Sequence, residues 1–437
     1  MKPMKQIWLN GLGMALTLSV SAEAAEWRQF RGNDSAGKAM ESDLVRDWAD
    51  DRNLLWRTSM PGPGSSSPIV AKGRVFVTSY SGYGVDRAEP GEIDALTRHL
   101  VCLDEETGKL LWDQPVSARL PEDPYRGYLT EHGYASSTPA TDGETVYVFF
   151  GKTGLLAFDY GGKELWRREL GQESSNRRWG SAASPIVVGD HVIVNASEES
   201  QSIRALDRKT GEEVWSAEAS SLELAYGSPL VAERRGGGHD LVLAVPNEVW
   251  GLNLSTGKLR WFAETRLPGN ICPSLTLADG VAYGFGGYPS QGSFAVRMGG
   301  EGDVTRSHLM WKSRVSSYVA SPVFHEGYLY WVTDRGEVLC QRAKDGQLVF
   351  RESLPDLENS DRRRASYASL VYGDGHFYAV SRFSGTYVFK AQPEFELVAH
   401  NRIRTDRSQF NGSPAVAGGR LYLRSDQGVY AIGKPIP

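Results

Sequence analysis

ALDRKTGEEVW, residues 205–215, decides the fold. Its grammar is a small residue, an Asp, a Thr-Gly turn and a Trp. It returns as CLDEETGKLLW (102–112), AFDYGGKELW (157–166), GLNLSTGKLRW (251–261) and CQRAKDGQLVF (340–350). Asp104, Asp207 or Asn253 can bond its own turn backbone, and Gly108, Gly211 or Gly257 tolerates the positive φ that a tight hairpin needs. A strand pair repeated with one large ring at a fixed position predicts stacked sheets, each Trp filling the groove between neighbours.

Upstream of each unit stands a small residue, usually followed by Pro: Ser67-Pro68, Thr138-Pro139, Ser184-Pro185, Ser228-Pro229, Cys272-Pro273, Ser321-Pro322, Ser369-Leu370 and Ser413-Pro414. Most of these anchors lie roughly 44 to 50 residues apart, the scale of one four-stranded propeller blade. Two copies are worn: Trp311 follows an irregular turn, and the seventh repeat carries AQPEFELV (391–398) with no Trp. The last repeat, from Ser413 to Gly433, holds three strands, whereas NLLWRTSM (53–60) is a Trp-bearing strand without a blade. Joining the two leaves no open sheet edge. The expected fold is all-β, an eight-bladed propeller whose N-terminal strand completes the C-terminal blade.

The 437 residues, 41% hydrophobic with 48 Gly and 12 Trp, suit two or three domains by length alone, but the repeat argues for one unit over 53–437. A leader segment, 25–52, precedes it. Residues 1–24 read as a signal peptide, with Lys2 and Lys5, an apolar run over 7–20 and Ala22-Glu23-Ala24 at the cleavage site. That run is too short for a good transmembrane span, and no Cys near the cleavage site offers a lipid anchor. The expected product is therefore periplasmic or secreted, without a transmembrane segment, and monomeric. A net charge of −5 gives no basic footprint, so nucleic acid is not an expected partner. Cys102 and Cys340 occupy the repeat position filled elsewhere by Ala157, Ala205 and Gly251, in distant blades; small buried thiols are expected, not a disulfide.

The Ala-x-Asp-x-x-Thr-Gly-x-x-x-Trp pattern resembles the Trp-docking repeat of the pyrroloquinoline-quinone (PQQ)-like propellers and spans nearly all of the mature chain. WRQFRGNDSAG (27–37) is also similar to the mature N-terminus of many exported bacterial propellers of this family. The resemblance implies the fold, but it covers both calcium-dependent quinoprotein dehydrogenases and a non-catalytic outer-membrane assembly lipoprotein. The chain lacks the adjacent Cys-Cys pair of the former and the lipidated Cys of the latter.

Function is expected on the face carrying the junctions between blades and the turns between middle strands. Ligand-binding candidates there are His132, Tyr134, Arg178, Trp179, Tyr226, Asn270, Tyr318, Arg364, Tyr367, Arg407, Phe410 and Asn411. Aromatic faces beside guanidinium forks suit an anionic small molecule, an acidic glycan or a protein partner. The insertion PEDPYRGYLTEHGY (121–134) is long enough to fold over a central pocket. The leading expectation is a non-catalytic binding or scaffold module with no cofactor. One alternative is a lyase-type enzyme on an acidic glycan, using His132 and Tyr134. A second is a dehydrogenase using PQQ with calcium. Scattered histidines and the absence of His-Glu-x-x-His, Cys-x-x-Cys or calcium-loop spacing give no expected metal ligands.

Overall fold

The computed structural model describes residues 25–41, 43–234, 236–288, 291–359 and 364–435. The expected signal peptide, 1–24, lies outside the described residues, as do Arg362 and Arg363. Eight antiparallel sheets follow one another around a ring. In the first, Ile69–Ala71, Arg74–Ser81, Thr97–Asp104 and Leu110–Ser117 lie in spatial order, and the next six repeat that order. The eighth combines Ala415–Ala417, Arg420–Arg424 and Gly428–Ile432 with Leu54–Ser59, which pairs along Gly428–Ile432. The ring closes through the N-terminal strand, as the orphan Trp56 segment implies.

The repeat motif is a staple between blades. Each Trp indole donates its N–H to a turn carbonyl of the following blade: Trp56 to Glu105, Trp112 to Tyr160, Trp166 to Arg208, Trp215 to Leu254 and Trp311 to Ala343, at 2.8–3.1 Å. The same ring lies on the turn glycine of that blade. A Cβ added at Gly108, Gly211 or Gly257 would sit 2.4–2.6 Å from Trp56, Trp166 or Trp215, and φ at these glycines is +68° to +70°. The small residue opens room for the ring from the other side, since Cys102, Ala157, Ala205, Gly251, Ala295 and Cys340 each stand directly across the ladder from the Trp or Phe. A register shift follows every one of these positions, twisting the outer strand to set the ring against its neighbour. The staple is absent between the fourth and fifth blades. There Trp261 is buried and donates to Asp240 of its own sheet, and Gly302–Asp303 adds a short parallel strand to the outer edge.

The anchors form a second ring at the axis. The backbone N–H of each anchor donates to the hydroxyl of the next: Ser67 to Thr138, Thr138 to Ser184, Ser184 to Ser228, Ser228 to Ser274, Ser274 to Ser321, Ser321 to Ser369 and Ser369 to Ser413, all at 2.8–3.0 Å. This belt corrects the fifth anchor. It is Ser274, the residue directly after Cys272-Pro273, because the position needs a hydroxyl acceptor and Pro is dispensable. All three cysteines are free.

The leader is part of the ring. Trp27 bridges to Val70 in the first blade, and the Arg28 carbonyl accepts from Thr141 in the second. Phe30 reaches the axis, buried Arg31 donates to the Pro322 carbonyl in the sixth blade, and Lys38 bridges to Tyr372 in the seventh. Trp48 then stacks on Tyr378 at 6.3 Å before the chain enters the closing strand. The leader thus crosses the face that carries the Trp turns and seals the channel there with Phe30.

Candidate functional site

The opposite face carries the junction loops. The helix Leu129–His132, from the insertion between the first two blades, lies over the axis as a lid. The side chain of Glu131 pairs with Arg364, with Arg382 at 3.1 Å and with Arg87 at 3.9 Å. Burial alone raises the Glu131 carboxyl, but hydrogen bonds and charge from Arg364 and Arg382 outweigh it and hold the group below its ordinary range. Asn411 donates to the Glu131 carbonyl at 2.9 Å, and the Ser65 hydroxyl donates to the His132 carbonyl at 2.9 Å. His132 is tied at both nitrogens. Nε2 lies 2.9 Å from the Trp179 carbonyl and must donate to it, leaving Nδ1 to accept from the Ser136 hydroxyl at 2.6 Å. Burial pushes its pKa down to about 4, so the ring is neutral near pH 7.

Beneath the lid is an axial cavity of about 160 Å³. Phe30 forms its floor, the anchor hydroxyls its waist, and Tyr128, His132, Trp179, Tyr226, Tyr318 and Tyr367 its upper wall. Tyr128 packs on Trp179 at 4.5 Å, Trp179 on Tyr226 at 5.9 Å, Tyr128 on Tyr318 at 5.9 Å and Tyr318 on Tyr288 at 5.0 Å. These rings make one arc across the face. Guanidiniums lie on it, Arg364 over Tyr128 at 5.3 Å, Arg177 over Trp179 at 5.7 Å and Arg382 over Tyr367 at 4.6 Å.

Of the residues expected from sequence, His132, Trp179, Tyr226, Tyr318, Tyr367 and Asn411 meet at this cavity, and Arg364 clamps its lid. The others lie elsewhere. Tyr134 is buried among Tyr80, Tyr83 and Tyr125 and donates to the Asp123 carbonyl at 2.7 Å, so it does not converge with His132 on a common opening. Asn270 is buried, with Nδ2 3.4 Å from the sulfur of Cys272. Phe410 stacks on Tyr430, Arg407 lines a lateral cleft with it, and Arg178 is exposed with φ +52°.

Sequence reading missed Glu131, Arg382 and Tyr128, and also a buried set of charges behind the lid. There Arg98 pairs with Glu122 at 2.7 Å and Lys152 with Asp123 at 3.2 Å, beside Glu198 and Glu199. Burial pushes Glu199 up to about 8; its Oε1 accepts from Ser181, and the neighbouring Glu198 adds like charge. Among the described residues, no group of three or more His, Cys, Asp or Glu is arranged to hold a metal ion.

Eight sheets, five of them stapled to the next by a Trp, with a hydroxyl belt and a closing N-terminal strand, define an eight-bladed propeller built of PQQ-like repeats. A family model described as "Outer membrane protein assembly factor BamB" matches residues 97–352, more than half of the chain, and the chain belongs to that family. It is 22% identical over 351 residues to the outer membrane protein assembly factor BamB of Yersinia pestis, covering 76% of this chain and 79% of that protein. The BamB of Burkholderia pseudomallei (strain K96243) is 21% identical over 406 residues, 87% and 88% of the two chains. Among solved structures, BamB from Moraxella catarrhalis superposes with a TM-score of 0.58 at 16% identity, over 88% of this chain and 98% of that one. A europium-containing methanol dehydrogenase superposes at 0.62 and 11% identity, over 92% and 90%. At these identities the two superpositions show the fold alone.

The residues at the axis do not fit PQQ with calcium. The quinone carries three carboxylates, yet no Arg or Lys is among the described residues lining the cavity, and Arg364 and Arg382 above it are already paired with Glu131. About 160 Å³ is also well below the roughly 300 Å³ at which ligand pockets begin.

Proposed function

We propose that this chain is an exported, non-catalytic scaffold that holds a protein partner on its lid face during assembly of outer-membrane proteins. The observation that carries the reading is the lid itself. His132 is bonded at both nitrogens and Glu131 is clamped by arginines, so the groups best suited to chemistry are consumed in holding the face rigid. What remains outward is an aromatic and guanidinium surface of the kind enriched at protein interfaces. Relatives of nearly equal length that are named as assembly factors support the same reading.

Photo-cross-linking in the native cell envelope tests it. A cross-linker at Arg126 or Arg178, both exposed on the lid face, is expected to give discrete protein adducts. One at Lys258, exposed on the Trp-turn face, is expected to give none. Adducts from Lys258 alone, or from neither face, would overturn the proposal.

A further inference from the structure

A second opening lies beside the lid, between the fifth and sixth blades. This cleft has a volume of about 390 Å³, inside the range of small-molecule sites and more than twice the axial cavity. One wall is the outer end of the aromatic arc: Tyr128, Tyr318 and Tyr288, the last 42% exposed. The rest of the lining is rich in charge. Arg314, Arg335, Arg351 and Arg364 stand there against only two carboxylates, Asp334 and Glu337. Arg351 faces Glu337 at 3.9 Å and Arg364 is taken by Glu131. Arg314 and Arg335, both exposed, make no ion pair with another described residue; Arg335 is only the sequence neighbour of Asp334.

We infer that this cleft binds an anionic pyranose, a six-membered sugar ring bearing carboxylate or sulfate. A flat tyrosine face offers C–H contact to such a ring, and a guanidinium fork matches the planar oxygens of its acid in a two-pronged geometry. Tyr288 and Tyr318 stand side by side at 5.0 Å and line the same cleft as Arg314 and Arg335, so a ring laid on Tyr288 shares that cleft with both guanidiniums. The axial cavity offers no comparable site, because no guanidinium lines it among the described residues, and Arg364 and Arg382 above it are spent on the lid. The cleft's size argues for one or two sugar units rather than a protein segment. The inference is independent of the scaffold reading, which concerns a protein partner and is tested by cross-linking.

The test is titration of the mature protein with trigalacturonate, with maltotriose as the neutral counterpart and an acidic Glu-rich hexapeptide as the charge control. Binding is followed by saturation-transfer NMR and intrinsic fluorescence. Trigalacturonate is expected to bind with a Kd of about 1 mM or tighter. The affinity should fall at least about tenfold between 0.01 and 0.15 M salt, as the Debye length shortens from about 30 to 8 Å. Arg314→Ala/Arg335→Ala is expected to weaken it about tenfold or more, roughly 1.4 kcal/mol. Tyr288→Ala should weaken the sugar but not the peptide. All three side chains are exposed, so an unchanged melting temperature checks that the variants remain folded. Equal binding of maltotriose, peptide binding as tight as sugar binding, indifference to the variants, or no saturation by about 10 mM would each overturn the assignment.

Discussion

The lid's response to acid follows from His132. Its folded pKa is pushed down to about 4 from the ordinary 6.5, because a buried ring with Nδ1 accepting from Ser136 has no place for a second proton. The unfolded chain takes up that proton below pH 6.5 and the folded chain only below about 4, so acid favours unfolding between the two values. Stability contributed by the neutral ring is complete above pH 6.5, falls through the window and is gone below about 4. A drop from 6.5 to about 4 corresponds to about 3 kcal/mol at about 1.4 kcal/mol per unit. His132→Gln retains a donor for the Trp179 carbonyl but cannot titrate, so the comparison isolates this one group. Urea unfolding of both proteins at steps from pH 7.5 to 4, with unchanged slope m, should give midpoints that converge as pH falls. Where the lid opens locally at lower cost than global unfolding, the wild-type loss is capped at the lid-opening free energy, which hydrogen exchange over 129–133 reports directly. A wild-type-minus-variant difference that stays constant from pH 7.5 to 4 would refute the buried, neutral assignment of His132.

Two further outcomes test the staple and the clamp. Gly211→Ala places a methyl 2.6 Å from the Trp166 ring at a φ of +69°, and is expected to cost about 2 to 3 kcal/mol in chemical denaturation; Gly280→Ala, which meets nothing within 4 Å at a similar φ of +76°, should cost only the backbone strain of about 1 kcal/mol. Glu131→Gln leaves buried Arg382 without its anion, and is expected to cost about 3 kcal/mol and to speed exchange of the lid amides; unchanged lid exchange would mean that Asn411 and Ser65 hold the lid without it.

The fold was legible because its stabilising contacts are written once per repeat. Trp, turn glycine and the small residue opposite the Trp each answer to the same inter-blade groove, so their spacing carries the architecture directly. The fifth anchor misled because Cys272-Pro273 copies the look of an anchor, whereas the belt selects a hydroxyl, which Ser274 supplies. The site was harder to read. His132, Trp179, Tyr226, Tyr318, Tyr367 and Asn411 could be found from their distance to an anchor, since that distance sets depth along the axis. Glu131 and Arg382 could not, because their pairing joins the first insertion to the seventh blade and nothing local marks it. Tyr134 shows the limit from the other side: two residues from His132 in sequence, its ring turns into a separate tyrosine cluster. Phe30 and Arg31 carried a signal in the leader motif, but their place at the channel floor depends on contacts with the sixth blade.

The strand Leu54–Ser59 precedes seven blades in the chain and pairs only in the eighth. Its hydrogen-bonding partner, Gly428–Ile432, lies beyond all seven other blades in the chain, so during synthesis or passage across a membrane Leu54–Ser59 stays without that partner until the intervening blades have emerged. Until they meet, each edge is a template for a strand of another chain. The leader bears on this closure. Its contacts with the first, second, sixth and seventh blades lie on both sides of the closing sheet and involve neither closing strand, so closure is held by more than one strand pair.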